Sequence, residues 1–167
     1  MKFINSRGFT LIELLIVIAL LGALAVGLLA TIDPFEQLKK GRDTSLRNTV
    51  SEFYNANLRY YSTKGQFPWS GTAEQTSLNA LTGDVIAELV SSGELKNRFS
   101  DLAGTGNLAK IFLYSPTAEN LAVCFKPESK AFQIDPNTIY DQTGGTSITN
   151  CKSQTSVGGT DCYYCIQ

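Results

Sequence analysis

The chain has 167 residues and a nearly balanced charge, 14 Lys and Arg against 15 Asp and Glu, with 43% hydrophobic residues and no histidine. Without imidazoles there is no Ser-His-Asp triad, no histidine general acid-base catalysis and no histidine-containing metal site, which weighs against enzymatic function. With neither a basic excess nor a clustered Lys/Arg face, nucleic acid is not expected as the main partner.

From Phe9 to Ile32 the chain runs 24 residues with a single charge, Glu13. As a helix this stretch is roughly 36 Å long, enough to cross a bilayer core of about 30 Å. A carboxylate in such a helix is costly and calls for a cation. Lys2 and Arg7 lie on the far side of Gly8, and no Lys or Arg follows until Lys39. The nearest cation that can be made is an α-amino group, created by cutting between Gly8 and Phe9.

The run Arg7-Gly8-Phe9-Thr10-Leu11-Ile12-Glu13-Leu14-Leu15 resembles the processing and methylation motif of type IV prepilins and type II secretion pseudopilins. The resemblance implies cleavage after Gly8 by a prepilin peptidase and N-methylation of Phe9. It also implies that Glu13, at the fifth mature position, pairs with the N-terminal amine of a neighbouring subunit during assembly. Two plainer readings compete. A secretory signal would use Lys2 and Arg7 as its basic region and Ala23-Leu24-Ala25 as its cleavage site, but a Glu inside the apolar run is poorly tolerated and the run continues to Ile32. A simple signal anchor leaves the Gly8-Phe9 junction and the Glu13 offset as coincidence. Basic residues flank both sides, Lys2 and Arg7 before and Lys39, Lys40 and Arg42 after, so the N-in topology rests on the resemblance and not on charge counting.

Next, Asp33-Pro34 with Glu36 reads as an N-cap, a Pro at the first helical position and a capping-box acid. Many pilins have a Pro at the twenty-second mature residue. Here that position is Ala30, so the break is expected at Pro34. Pro34 to Tyr61 predicts a second helix with an apolar stripe of Leu46, Val50, Phe53, Asn57 and Tyr61, widened by Tyr54 and Leu58. Arg42, Asp43, Arg47, Ser51 and Arg59 fall on other faces, with Glu36–Lys40 and Asp43–Arg47 as four-apart ion pairs. Gly65 suits a left-handed C-cap and Pro68 cannot continue the helix. Tyr60-Tyr61 followed by Gly65-Gln66-Phe67-Pro68 is similar to the junction after the long helix of many pilins.

Thr72 to Ser77 reads as a polar loop. Leu78 to Ser92 reads as one or two short amphipathic helices stopped by Gly93, and Gly104 to Asn107 as a turn. Ile111 to Tyr114, Leu121 to Phe125 and Ala131 to Ile134 predict a three-stranded antiparallel meander whose face covers the helical stripe. The residues from Asn137 onward are rich in Gly, Ser and Thr, including Gly144-Gly145 and Gly158-Gly159, and need cross-links to be held.

All four cysteines, Cys124, Cys151, Cys162 and Cys165, lie in the last third, which suits an extracytoplasmic, disulfide-stapled domain of open connectivity. Cys162-x-x-Cys165 also admits a redox dithiol, or a zinc site of all four thiolates. It closes a Gly-rich stretch and does not open a helix, so structural disulfides rank first. Asp135, Asp141 and Asp161 are placed like the calcium acids of some pseudopilins, but their spacing matches no loop pattern, and no metal ligand or cofactor is assigned.

The expected fold is α+β: a long N-terminal helix, membrane-spanning in its first half and amphipathic in its second, packed on a small antiparallel sheet, as in pilins. The expected divisions are a leader at 1–8, a membrane or filament-core helix at 9–32, its amphipathic continuation at 33–61 and a head at 62–167. By resemblance the function is that of a filament subunit, not an enzyme. Its partners are copies of itself, the prepilin peptidase, membrane lipid and an inner-membrane assembly platform. It starts as a single-pass inner-membrane protein with a cytoplasmic N-terminus and ends in an extracellular or periplasmic filament. A secretion pseudopilin is the nearest alternative, and a membrane-anchored thiol oxidoreductase using Cys162 and Cys165 is the alternative of another class.

Overall fold

The computed structural model describes residues 8–31, 33–69, 71–141, 143–145 and 162–167. The leader up to Arg7, Ile32, Cys151, Asp161 and the Gly158-Gly159 pair lie outside the described residues. The chain divides into two units, one ending at Phe35 and the other running from Glu36 to Gln167.

The first unit is dominated by helix α1, Leu11–Thr31. Every residue from Gly8 to Leu29 is exposed. Leu11–Leu29 is long and apolar enough to cross a membrane. Helix α2, Pro34–Lys64, starts after Asp33, whose Oδ1 accepts the Phe35 N–H at 3.1 Å. The helix boundary therefore falls at Asp33-Pro34, as the local sequence implies.

In the second unit α2 buries Asp43, Leu46, Thr49, Val50, Phe53, Ala56, Asn57 and Tyr60. The three- and four-residue spacing is as expected, but the stripe turns toward Tyr60, while Tyr61 is half-buried and Leu58 stays 41% exposed. The helix also runs one turn past Tyr61. The Ser62 hydroxyl donates to the Arg59 carbonyl and that of Thr63 to the Arg59 and Tyr60 carbonyls, and Gly65, at φ +73°, closes the end by donating to the Tyr61 carbonyl at 2.8 Å. Beyond it, Phe67 stacks on Trp69 and meets Tyr61 at a tilt, with centroids 4.8 Å apart in each pair.

The sheet is four-stranded and antiparallel, in the order β1 (Ala73–Ser77), β2 (Ile111–Ser115), β3 (Ala122–Phe125), β4 (Tyr164–Ile166). Two expectations are corrected here. The polar 73–77 stretch is an edge strand, and its register against β2 is irregular between Ala73 and Thr76. An edge strand needs little apolar surface, so composition misreads it. Ala131 to Ile134 is not the third strand: Lys130–Gln133 forms a helical turn, α6, capped by Ser129, whose Oγ accepts the Phe132 N–H. That place is taken by β4, brought in from the C-terminus.

Between β1 and β2 the chain makes a 3-10 turn at Leu78–Leu81, a π turn at Thr82–Ile86 and three short helices, α3 (Ala87–Ser91), α4 (Phe99–Ala103) and α5 (Thr105–Leu108). Gly93, at φ +82°, ends α3 as expected. The inner sheet face, with Ile111, Leu113, Val123, Phe125 and Tyr164, joins the α2 stripe and the short helices in one core. The outer face has a smaller cluster of Ala122, Cys124, Tyr163 and Cys165.

Among the described residues, Asp43 is the buried charge of this unit. Read as a surface partner of Arg47, it is instead fully enclosed. Its carboxylate accepts the Ser129 N–H at 2.7 Å, the Ser129 Oγ–H at 2.6 Å and the Glu128 N–H at 3.0 Å. Arg47 lies over the Tyr164 ring, 5.3 Å from its centroid. Glu36 meets Lys39 at 3.9 Å in place of Lys40, and also accepts the Lys130 N–H. The start of α2 is thus tied to the segment entering α6.

Candidate functional site

Gly8, Phe9 and Thr10 precede α1 outside regular structure. Phe9 is 82% exposed, and a Cβ built on Gly8 meets nothing within 4 Å. Thr10 is the N-cap of α1 and Glu13 is its third helical residue. Glu13 Oε2 accepts the Thr10 N–H at 2.8 Å and the Thr10 hydroxyl at 2.6 Å, and the Glu13 N–H donates back to Thr10 Oγ1 at 3.3 Å. This is a capping box. The expectation that Glu13 has no nearby partner is corrected, since Thr10 satisfies one oxygen and the helix N-terminus favours the negative charge. Thr-x-x-Glu before an apolar run is the signal that would have revealed it.

Residues 4–29, which hold this box and nearly all of α1, match the family model of the prokaryotic N-terminal methylation motif. The chain carries the type IV pilin and pseudopilin signature. No curated protein and no solved structure matches it. The pilin-like motif and the exposed apolar helix together fit anchoring in the inner membrane, and the family that bears the motif is a structural class.

At the other end of this pilin-like chain, Cys124 and Cys165 are directly opposite in the β3–β4 register and form a disulfide with Cα atoms 4.1 Å apart. Cys162 is also disulfide-bonded. Because Cys165 is paired with Cys124, the C-x-x-C is not a dithiol pair, and the sulfurs of Cys124 and Cys165 are spent on a covalent bond. That corrects both the redox reading of Cys162 with Cys165 and the four-thiolate zinc reading. The bridge lies on the outer sheet face, in a cluster with Ala122 and Tyr163.

Of the acids weighed for calcium, Asp135 and Asp141 serve turns. Asp135 Oδ1 accepts the Asn137 N–H at 2.8 Å. Asp141 Oδ1 accepts the Thr143 N–H at 2.8 Å, the Thr143 hydroxyl at 2.6 Å and the Gly145 N–H at 2.9 Å. Partial burial pushes the Asp141 carboxyl up, but the bonds from Thr143 and Gly145 outweigh it and hold the group below its usual range. Among the described residues no group of three or more acids or cysteines is arranged to hold a metal ion.

Proposed function

We propose that this chain is a structural subunit of a type IV pilus-like filament, cut between Gly8 and Phe9 by a prepilin peptidase, methylated on Phe9, and assembled from the inner membrane through α1. The observation that carries the reading is one carboxylate, four residues after Phe9, on an otherwise apolar and uncovered helix within the matched motif. Thr10 bonds Oε2 alone among the described residues, and the ammonium of a neighbour's Phe9 takes Oε1. Before assembly α1 lies in lipid. Afterwards its apolar surface packs on the α1 helices of other copies and the second unit faces outward in an extracellular or periplasmic fibre. No catalytic residue is assigned.

The motif is shared with secretion pseudopilins. We favour a pilus subunit because the C-terminal strand is tied into the sheet by Cys124–Cys165, which suits a head exposed on a fibre. Glu13→Val tests the role of the carboxylate: the variant enters the membrane at least as well as the wild type, yet yields few filaments in sheared surface fractions. Normal filament yield from Glu13→Val refutes the role. Loss of surface fibres on deletion, with secretion intact, separates pilus from pseudopilin.

A further inference from the structure

The paired glycines Gly144 and Gly145 belong to a turn that lies against the Cys124–Cys165 bridge. Gly144 has φ +81°, and a Cβ built on it falls 2.6 Å from the Ala122 Cβ, 3.2 Å from Gln167 Oε1 and 3.8 Å from Cys124 Sγ. A Cβ on Gly145 falls 2.7 Å from Asp141 Oδ2. Neither position takes a side chain without movement, so bare backbone rests on β3 and on the bridge. Cys165 Sγ is 3.7 Å from the Asp141 carbonyl oxygen at the start of the same turn.

The turn is closed on itself. The Asp141 N–H donates to the Gly145 carbonyl at 3.0 Å and the Gly144 N–H to the Asp141 carbonyl at 3.1 Å, while the Asp141 carboxylate holds Thr143 and Gly145. Under it Cys124 is fully enclosed and Cys165 is 6% exposed. A thiolate must reach a sulfur to exchange with it, so access sets the rate. We propose that the turn from Asp141 to Gly145 is a cover for the Cys124–Cys165 bridge, which meets small thiols only when the turn opens. Strand β4 has three residues and pairs with β3 at the sheet edge, and the cover thus protects a main tie of a short strand. The inference is independent of the filament reading.

The test is reduction of the full chain in detergent by dithiothreitol, in urea concentrations below the unfolding transition. One thiolate of the reagent bonds to one cysteine sulfur and expels the other as a thiolate; the second then displaces the first cysteine and closes the oxidised ring, leaving two cysteine thiols. Alkylation and peptide mapping count Cys124 and Cys165 alone. In the wild type the rate should rise far less steeply with urea than global unfolding does, because opening a turn exposes little surface. Gly144→Ala puts a Cβ on left-handed backbone and should speed reduction about tenfold or more at the same shallow slope. Asp141→Ala removes the carboxylate that holds the turn, adds no atom beside the bridge and should also speed reduction, which serves if Gly144→Ala does not fold. A wild-type rate that tracks global unfolding at every urea concentration overturns the proposal, since the whole fold then shields the bridge. A shallow slope with rates unchanged in the variants also overturns it, because access then runs through another opening.

Discussion

Asp43→Ala is the perturbation that most directly probes how the second unit is held. The carboxylate is fully enclosed and accepts the Glu128 and Ser129 N–H groups and the Ser129 hydroxyl. Truncation leaves two backbone donors in the interior without acceptors, at about 1–3 kcal/mol each. The Ser129 hydroxyl can rotate to another acceptor, so it adds little. The sum is roughly 2–6 kcal/mol, a large fraction of the 5–15 kcal/mol typical of a whole domain. With about 4 °C lost per kcal/mol in a unit of this size, Tm falls by roughly 8–24 °C. Thermal unfolding of the full chain in detergent, followed by near-UV circular dichroism, measures it. Asp43→Asn keeps one acceptor and falls between. A loss below about 4 °C in Asp43→Ala refutes the claim that this carboxylate anchors the segment entering α6.

Two further outcomes follow from the same geometry. Cys165→Ser opens a bridge spanning 41 residues of sequence and costs about 4 kcal/mol by loop closure; non-reducing peptide mapping of the wild type should recover Cys124 with Cys165. Glu128 is held below its ordinary value chiefly by the hydrogen bond from Lys110 at 2.6 Å, against burial, and by the charges of Lys110, Arg42 and Lys39. Its folded-state pKa is depressed, so its contribution is present above the ordinary value near 4.5 and fades as pH falls through the lower folded value. The carboxylate is about a third exposed, which screens the effect. Glu128→Gln should therefore flatten the stability profile below pH 4.5 and leave its slope near neutrality unchanged, as a urea titration at several pH values reads.

What the sequence could reveal follows from the range of the interactions. The apolar run, the Asp33-Pro34 boundary, the Gly65 stop and strands β2 and β3 are all local signals, and each is present in the structure. The failures come from partners far along the chain. Asp43 bonds residues 85 and 86 positions away, so a four-residue window assigns it to Arg47. Phe132 has strand propensity, yet Ser129, itself fixed by Asp43, caps a helical turn there. Strand β4 is only three residues long and joins the sheet across a stretch of Gly, Ser and Thr. Thr10 is the exception. Its bond to Glu13 is local and legible, and it is missed when the search for a partner considers only charges.

The filament reading depends on the new amine that proteolysis would place four residues before Glu13. Intact-mass and N-terminal peptide analysis of protein recovered from its native membrane or filament tests this directly. The expected result is a chain starting at Phe9 with one added methyl group on its amine; a chain starting at any other residue, or retaining the leader in assembled material, contradicts the filament reading.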